Sequence, residues 1–184
     1  MRDLTNAAPF AFVGSLLVRI GGSVFVACRS RAVEELFYRV DTGARSVWPY
    51  CRGAFVSDEL LANATEACHA LEQDVRNVSL PTEFTLAYTE LAASFLSCLA
   101  TGSVPSQQAV VDRASSAVDV LASGLETAVG ARDFERACQE DACQILTGWE
   151  QDSLAAVRQL RRRTDEWALV YQRFVRPELG SFHA

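Results

Sequence analysis

The sequence predicts an α+β fold. An N-terminal antiparallel β-meander of three or four strands, over about residues 10–50, packs on a C-terminal bundle of four or five helices over about residues 57–176. Three observations predict it. Apolar, β-rich runs before residue 50 are separated by glycines. After Phe55 the apolar spacing changes to three and four residues. No linker or low-complexity tract divides the 184 residues, so residues 1–184 read as a single domain.

In the first run Phe12, Gly14, Leu16, Val18 and Ile20 alternate with Val13, Ser15, Leu17 and Arg19. Gly21-Gly22 follows, then Val24-Phe25-Val26-Ala27. Two such runs around a Gly-Gly pair predict a hairpin, because both turn positions need positive φ. A third run, from Glu35 to Asp41, ends in the turn composition Asp41-Thr42-Gly43. A short fourth run from Arg45 to Tyr50 pairs back until Pro49 stops it.

The helices follow from capping and periodicity. Ser57 is an N-cap residue, with Asp58 and Glu59 at the positive end of the helix dipole. Leu60, Leu61, Ala64, Cys68, Leu71 and Val75 then recur at helical spacing. Pro81 opens a second helix, whose stripe is Phe84, Tyr88, Leu91, Phe95 and Cys98 and whose end is Gly102. Pro105 opens a third, rich in alanine and serine, and Gly130 closes it. From Arg132 to about Val175, Ala142, Leu146, Trp149, Ser153, Ala156, Leu160, Arg163, Trp167, Val170 and Phe174 alternate spacings of four and three, a heptad seam. Gly148 is the expected break in it. The tail from Arg176 to Ala184 is expected to be loosely held.

All 17 basic side chains are arginine, and lysine is absent. A GC-rich genome would produce this bias, as in large DNA viruses or actinobacteria. Selection against ubiquitin attachment would also produce it, since lysine is the usual acceptor. The net charge of −6 excludes a general nucleic-acid binder. The charge is uneven: residues 1–56 carry a net +3, residues 57–157 a net −12 and residues 158–184 a net +3. No uninterrupted run of 18 apolar residues is present, so no transmembrane segment is expected. No export leader is evident. The six cysteines are therefore expected to be free thiols, and the protein intracellular, in the cytoplasm or, if viral, in the host cytoplasm or nucleus. In that setting the sequons at Asn63 and Asn77 have no role.

Little of the sequence carries chemistry. Cys138 and Cys143 lie five apart, about 140° around a helix, and adjacent Cys68 and His69 face differently, so no metal site is expected. Besides His183 in the tail, His69 is the one histidine that could serve a nucleophile, and it reads as a solvated helix residue. Glu135, Glu140, Asp141, Glu150 and Asp152 read as a solvated acidic surface. Phosphate-binding glycine loops are missing.

One stretch, Leu36-Phe37-Tyr38-Arg39-Val40-Asp41-Thr42 followed by Gly53-Ala54-Phe55, resembles the first strand of the ADP-ribosylating toxins. The resemblance spans about twenty residues. It implies a strand that brings Arg39 to NAD. The family's Ser-Thr-Ser strand and late Glu-x-Glu or Gln-x-Glu have no β-structured counterpart in this sequence.

The function expected is a non-enzymatic protein–protein interaction module, such as a viral structural, assembly or host-interfering adaptor. It has no catalytic, cofactor-binding or metal-binding residues. Its partner is another protein chain or a second copy meeting the C-terminal helix. The candidate partner-binding residues are Trp149, Leu160, Arg161, Arg162, Arg163, Trp167 and Phe174, which combine aromatic anchors with arginines. The alternatives are a toxin-like transferase and a secreted helical ligand with its cysteines in disulfides.

Overall fold

A computed structural model of the protein describes residues 7–179, and every regular element among them is helical. The chain runs α1 (Ala7–Ala27), α2 (Arg31–Arg45), a single turn α3 (Val47–Tyr50), α4 (Asp58–Gln73), α5 (Thr82–Thr101), α6 (Gln107–Gly124), α7 (Ala131–Thr147) and α8 (Ser153–Leu179). Short 3₁₀ turns at Val75–Asn77 and Glu126–Ala128 complete it.

The N-terminal β-meander is therefore overturned, and with it the α+β class. Residues expected to form a hairpin form α1, the axis of the bundle. From Phe10 to Val24 every residue is buried. Ser15 and Arg19 apart, the apparent alternation was of apolar with apolar residues, and both of these are buried too, so no solvent face existed to set a strand period. A helix apolar all round needs cover all round. α1 packs along the length of α8 and also meets α2, α3, α5, α6 and α7.

The glycines read as a turn serve this packing. A Cβ on Gly22 would lie 2.6 Å from the Ala168 carbonyl oxygen of α8, and one on Gly14 would lie 2.5 Å from Val47 Cγ1. Both glycines let a neighbouring element come closer than any side chain permits.

The third and fourth expected strands are α2 and α3. Ser30 caps α2 by accepting from the Val33 N–H. Val33, Phe37, Val40 and Ala44 then face inward, at spacings of four, three and four. Asp41 is a helical residue whose carboxylate accepts from Arg45 Nε at 2.7 Å. The one β-type contact among the described residues is an isolated antiparallel bridge between Cys28 and Val78.

Beyond Phe55 the chain is a helical bundle, as the spacing implies. α5 follows Pro81 and ends at Gly102, and Ser106 caps α6. α7 stops at Thr147, with Gly148 as its C-cap. α8 restarts after Asp152, whose carboxylate accepts from the Ala155 N–H at 2.8 Å. The heptad region is thus two helices that fold back on each other. Arg176 lies in α8 rather than in a tail, and His183 lies outside the described residues.

Two helices have the length and apolarity to cross a bilayer: α1, with mean hydropathy 1.9, and α5, with 1.2. In α1, 89% of that apolar window is covered by the rest of the bundle.

Candidate functional site

Two places concentrate polar chemistry. The first is sealed in the core. Arg19 is the lone charge in the apolar run of α1, and neither it nor Glu135 of α7 reaches solvent appreciably. The guanidinium donates from Nη2 to Glu135 Oε1 at 2.6 Å and from Nε to Oε2 at 3.0 Å. Gln139 Nε2 donates to Oε1 at 2.8 Å, and the Tyr171 hydroxyl donates to Oε2 at 2.7 Å. Each carboxylate oxygen thus accepts two bonds, which fills its lone pairs. Arg19 Nη1 donates to Ser15 Oγ, which shares a 2.6 Å bond with Thr164 Oγ1.

Burial opposes the charge on Arg19, but the carboxylate beside it, with smaller help from Tyr171 and Cys138, outweighs this and raises its pKa. Burial, then Glu135, pushes the Tyr171 phenol well above its ordinary value. The cluster joins α1, α7 and α8 and leaves no open position for a substrate. A cleft of about 310 Å³ between α6 and α7 has Glu135 in its floor, but its rim cations are engaged: Arg132 pairs with Asp119, and Arg136 with Asp133.

The second place is the outward face of α8. Leu154, Arg158, Arg161, Asp165 and Leu169 follow one another at three- and four-residue steps and share one side of the helix, with Arg162 beside Arg161. Leu154 is 46% exposed and Leu169 55%. Between them a shallow groove of about 420 Å³ is lined by Arg158, Arg161, Arg162, Asp165, Glu166 and Leu169. The two carboxylates are held from within: Asp165 by Arg45 of α2 at 2.7 Å, Glu166 by Arg162 at 3.2 Å and Arg163 at 3.0 Å. Arg158 and Arg161 have no acidic partner within ion-pair distance among the described residues.

The seven residues singled out in the sequence separate into two groups. Trp149, Leu160 and Trp167 are buried. Trp167 lies between two guanidinium groups, with the Arg19 and Arg163 Cζ atoms each 5.5 Å from its ring centroid. Phe174 is half-buried and meets Phe134 and Tyr171 edge-on. Trp149 and Trp167 belong to the core, and Phe174 packs against its edge. Arg163 turns toward α7, pairing with Asp141 at 2.7 Å. Arg161 and Arg162 are on the exposed face, with Leu154, Arg158 and Leu169, which the seam reading missed. Their signal was the second stripe of α8, displaced from the seam.

Arg39 is placed by α2, not by a strand, so the toxin-like local structure is absent. Its guanidinium donates to the Glu66 carboxylate and to the Asn63 carbonyl of α4, both at 2.9 Å. It borders an open apolar groove of about 500 Å³ between α2 and the start of α4, lined also by Tyr38, Leu60 and Ala64.

The six cysteines are free. Burial raises the thiol pKa of Cys28, Cys51, Cys68 and Cys138 to about 12, which removes the reactive thiolate at neutral pH. Cys143 is exposed. His69 is exposed and lies 3.5 Å from Glu72 on its own helix. No group of three or more metal-ligating side chains converges among the described residues. No protein-family model, curated protein or solved structure matches this chain.

Proposed function

We propose that this protein is a non-enzymatic helical module that binds another protein through the outward face of α8. The observation that carries the reading is the pair of exposed leucines flanking Arg158 and Arg161, two cations the fold leaves without a counter-charge. Ion pairs join α2 to α4, α2 to α8, α5 to α6, α6 to α7 and α7 to α8. Arg52, Arg76, Arg173 and Arg176 also lack an acidic partner among the described residues, and Arg158 and Arg161 differ from them in lying between two exposed leucines on one helix face. Exposed apolar groups beside arginine are the composition of interface anchors. The converging polar cluster at Arg19 and Glu135 supports the same reading, since both side chains are buried and the carboxylate's acceptor positions are taken by this chain's own donors. The lysine-free composition fits an assembly or host-interfering adaptor of a GC-rich large DNA virus.

The test is quantitative capture from a host-cell lysate with the full chain and with an Arg158→Glu/Arg161→Glu/Leu169→Ser variant. A protein captured by the parent and lost from the variant, at unchanged helical ellipticity, supports the reading. Equal capture by both contradicts it.

A further inference from the structure

The charge and spacing on α8 also point to the chemistry of its partner. We infer that the outward face of α8 receives an acidic amphipathic helix that lies along it. This rests on reading that face as the binding surface.

Leu154 and Leu169 are separated by four turns, roughly 22 Å at about 1.5 Å per residue. That is the span over which a partner helix lying alongside presents two apolar anchors of its own. Between the leucines the groove exposes Arg158 and Arg161. Carboxylates on the partner, one turn apart, would meet them. Burying those guanidiniums without a counter-charge would be costly, so an apolar partner is disfavoured.

The same face argues against a polyphosphate or a lipid surface. Asp165 sits midway along it and Glu166 borders it, and both would lie against phosphates. With a protein partner these carboxylates are accommodated. Each is already held by an arginine of this chain, at 2.7–3.2 Å, and a partner helix, unlike a polyphosphate, can set a donor side chain opposite each of them.

The probe is a fluorescent acidic helix of about 20 residues, with two leucines four turns apart and glutamates between them on the same face. Its binding to the full chain is read by anisotropy, beside a scrambled peptide of equal composition, phosphatidylserine vesicles and a single-stranded RNA. The expected result is saturable binding of the ordered helix that weakens with salt. Arg158→Glu/Arg161→Glu and, separately, Leu154→Ser/Leu169→Ser are expected to weaken it by about tenfold or more each. Equal binding of the scrambled peptide overturns the inference, as does binding of vesicles or RNA in place of the helix. Absence of helix binding overturns it too. If the lysate partner is still lost from the α8 variant in that case, α8 remains the binding face and only the acidic-helix chemistry fails.

Discussion

Arg19 of α1 and Glu135 of α7 form a two-point ion pair, at 2.6 and 3.0 Å, with the guanidinium 0% and the carboxylate side chain 3% exposed. The pair fixes the register of the central helix against α7, and Tyr171 extends it to α8. Removing one member leaves the other charged and sealed. Arg19→Met or Glu135→Leu alone is expected to cost about 3–5 kcal/mol in urea unfolding. Arg19→Met/Glu135→Leu together, with Tyr171→Phe, is expected to recover a large part of that loss, because an apolar core replaces the pair. Single variants that lose under about 1 kcal/mol would show that the pair is not buried as described.

The close approach of α1 to α8 at Gly22 predicts intolerance of one methyl group. Gly22→Ala places a Cβ against the Ala168 carbonyl, a backbone atom that moves only with its helix. The expected cost is about 1–3 kcal/mol of overpacking, despite the better helix propensity of alanine. Thermal unfolding followed by circular dichroism checks this. An unchanged or higher midpoint counts against the α1–α8 packing.

Tyrosine ionisation has a definite order. Burial raises the Tyr88 and Tyr171 phenols well above their ordinary value, with Asp41 adding to the effect at Tyr88 and Glu135 at Tyr171. The unfolded chain releases these protons first, from about pH 10. Stability from these two groups is therefore intact below that pH and is lost as pH rises above it. In an alkaline titration their tyrosinate absorbance should appear only as helical ellipticity disappears. Tyr88→Phe and Tyr171→Phe each remove part of that late component. Complete tyrosine ionisation with the helices intact would contradict it.

Thiol labelling should separate the cysteines by position. At about pH 8, exposed Cys143 reacts quickly with a maleimide. Cys51, Cys68 and Cys138 are buried, with pKa values pushed up to about 12, and should react only when the chain unfolds. Peptide mapping after a short pulse checks this. Labelling of the three buried thiols at the rate of Cys143 would mean that the bundle opens readily.

The second half of the fold was legible because its signals are local. Pro81, Gly102 and Gly148 bound helices whose inward stripes recur at three and four residues, and Pro105 lies just before Ser106, the cap of α6. The first half was not. α1 is apolar on every side, so periodicity could not separate a buried helix from a buried strand, and Gly21-Gly22 supplied a turn signal that close packing explains instead. Length was the usable arbiter: a run from Phe10 to Ala27, broken only by Arg19 and small residues, exceeds any ordinary strand. Arg19 itself was visible as an interruption. A lone charge within such a run implies a buried counter-charge, but which of many carboxylates supplied it depends on tertiary packing. The heptad pattern drew attention to the inner face of α8. Trp149, Leu160 and Trp167 mark the core side of that helix, and the open side carries Leu154, Arg158, Arg161 and Leu169.

The most direct measurement of the account is hydrogen exchange of the α1 amides in detergent-free buffer. A helix at the axis of the bundle exchanges only through global unfolding, so Phe10–Val24 should be the slowest segment, at rates set by the full unfolding free energy. Rapid exchange across Phe10–Val24, with protection restored only by lipid micelles, would place α1 outside the bundle and contradict the architecture on which the α8 surface depends.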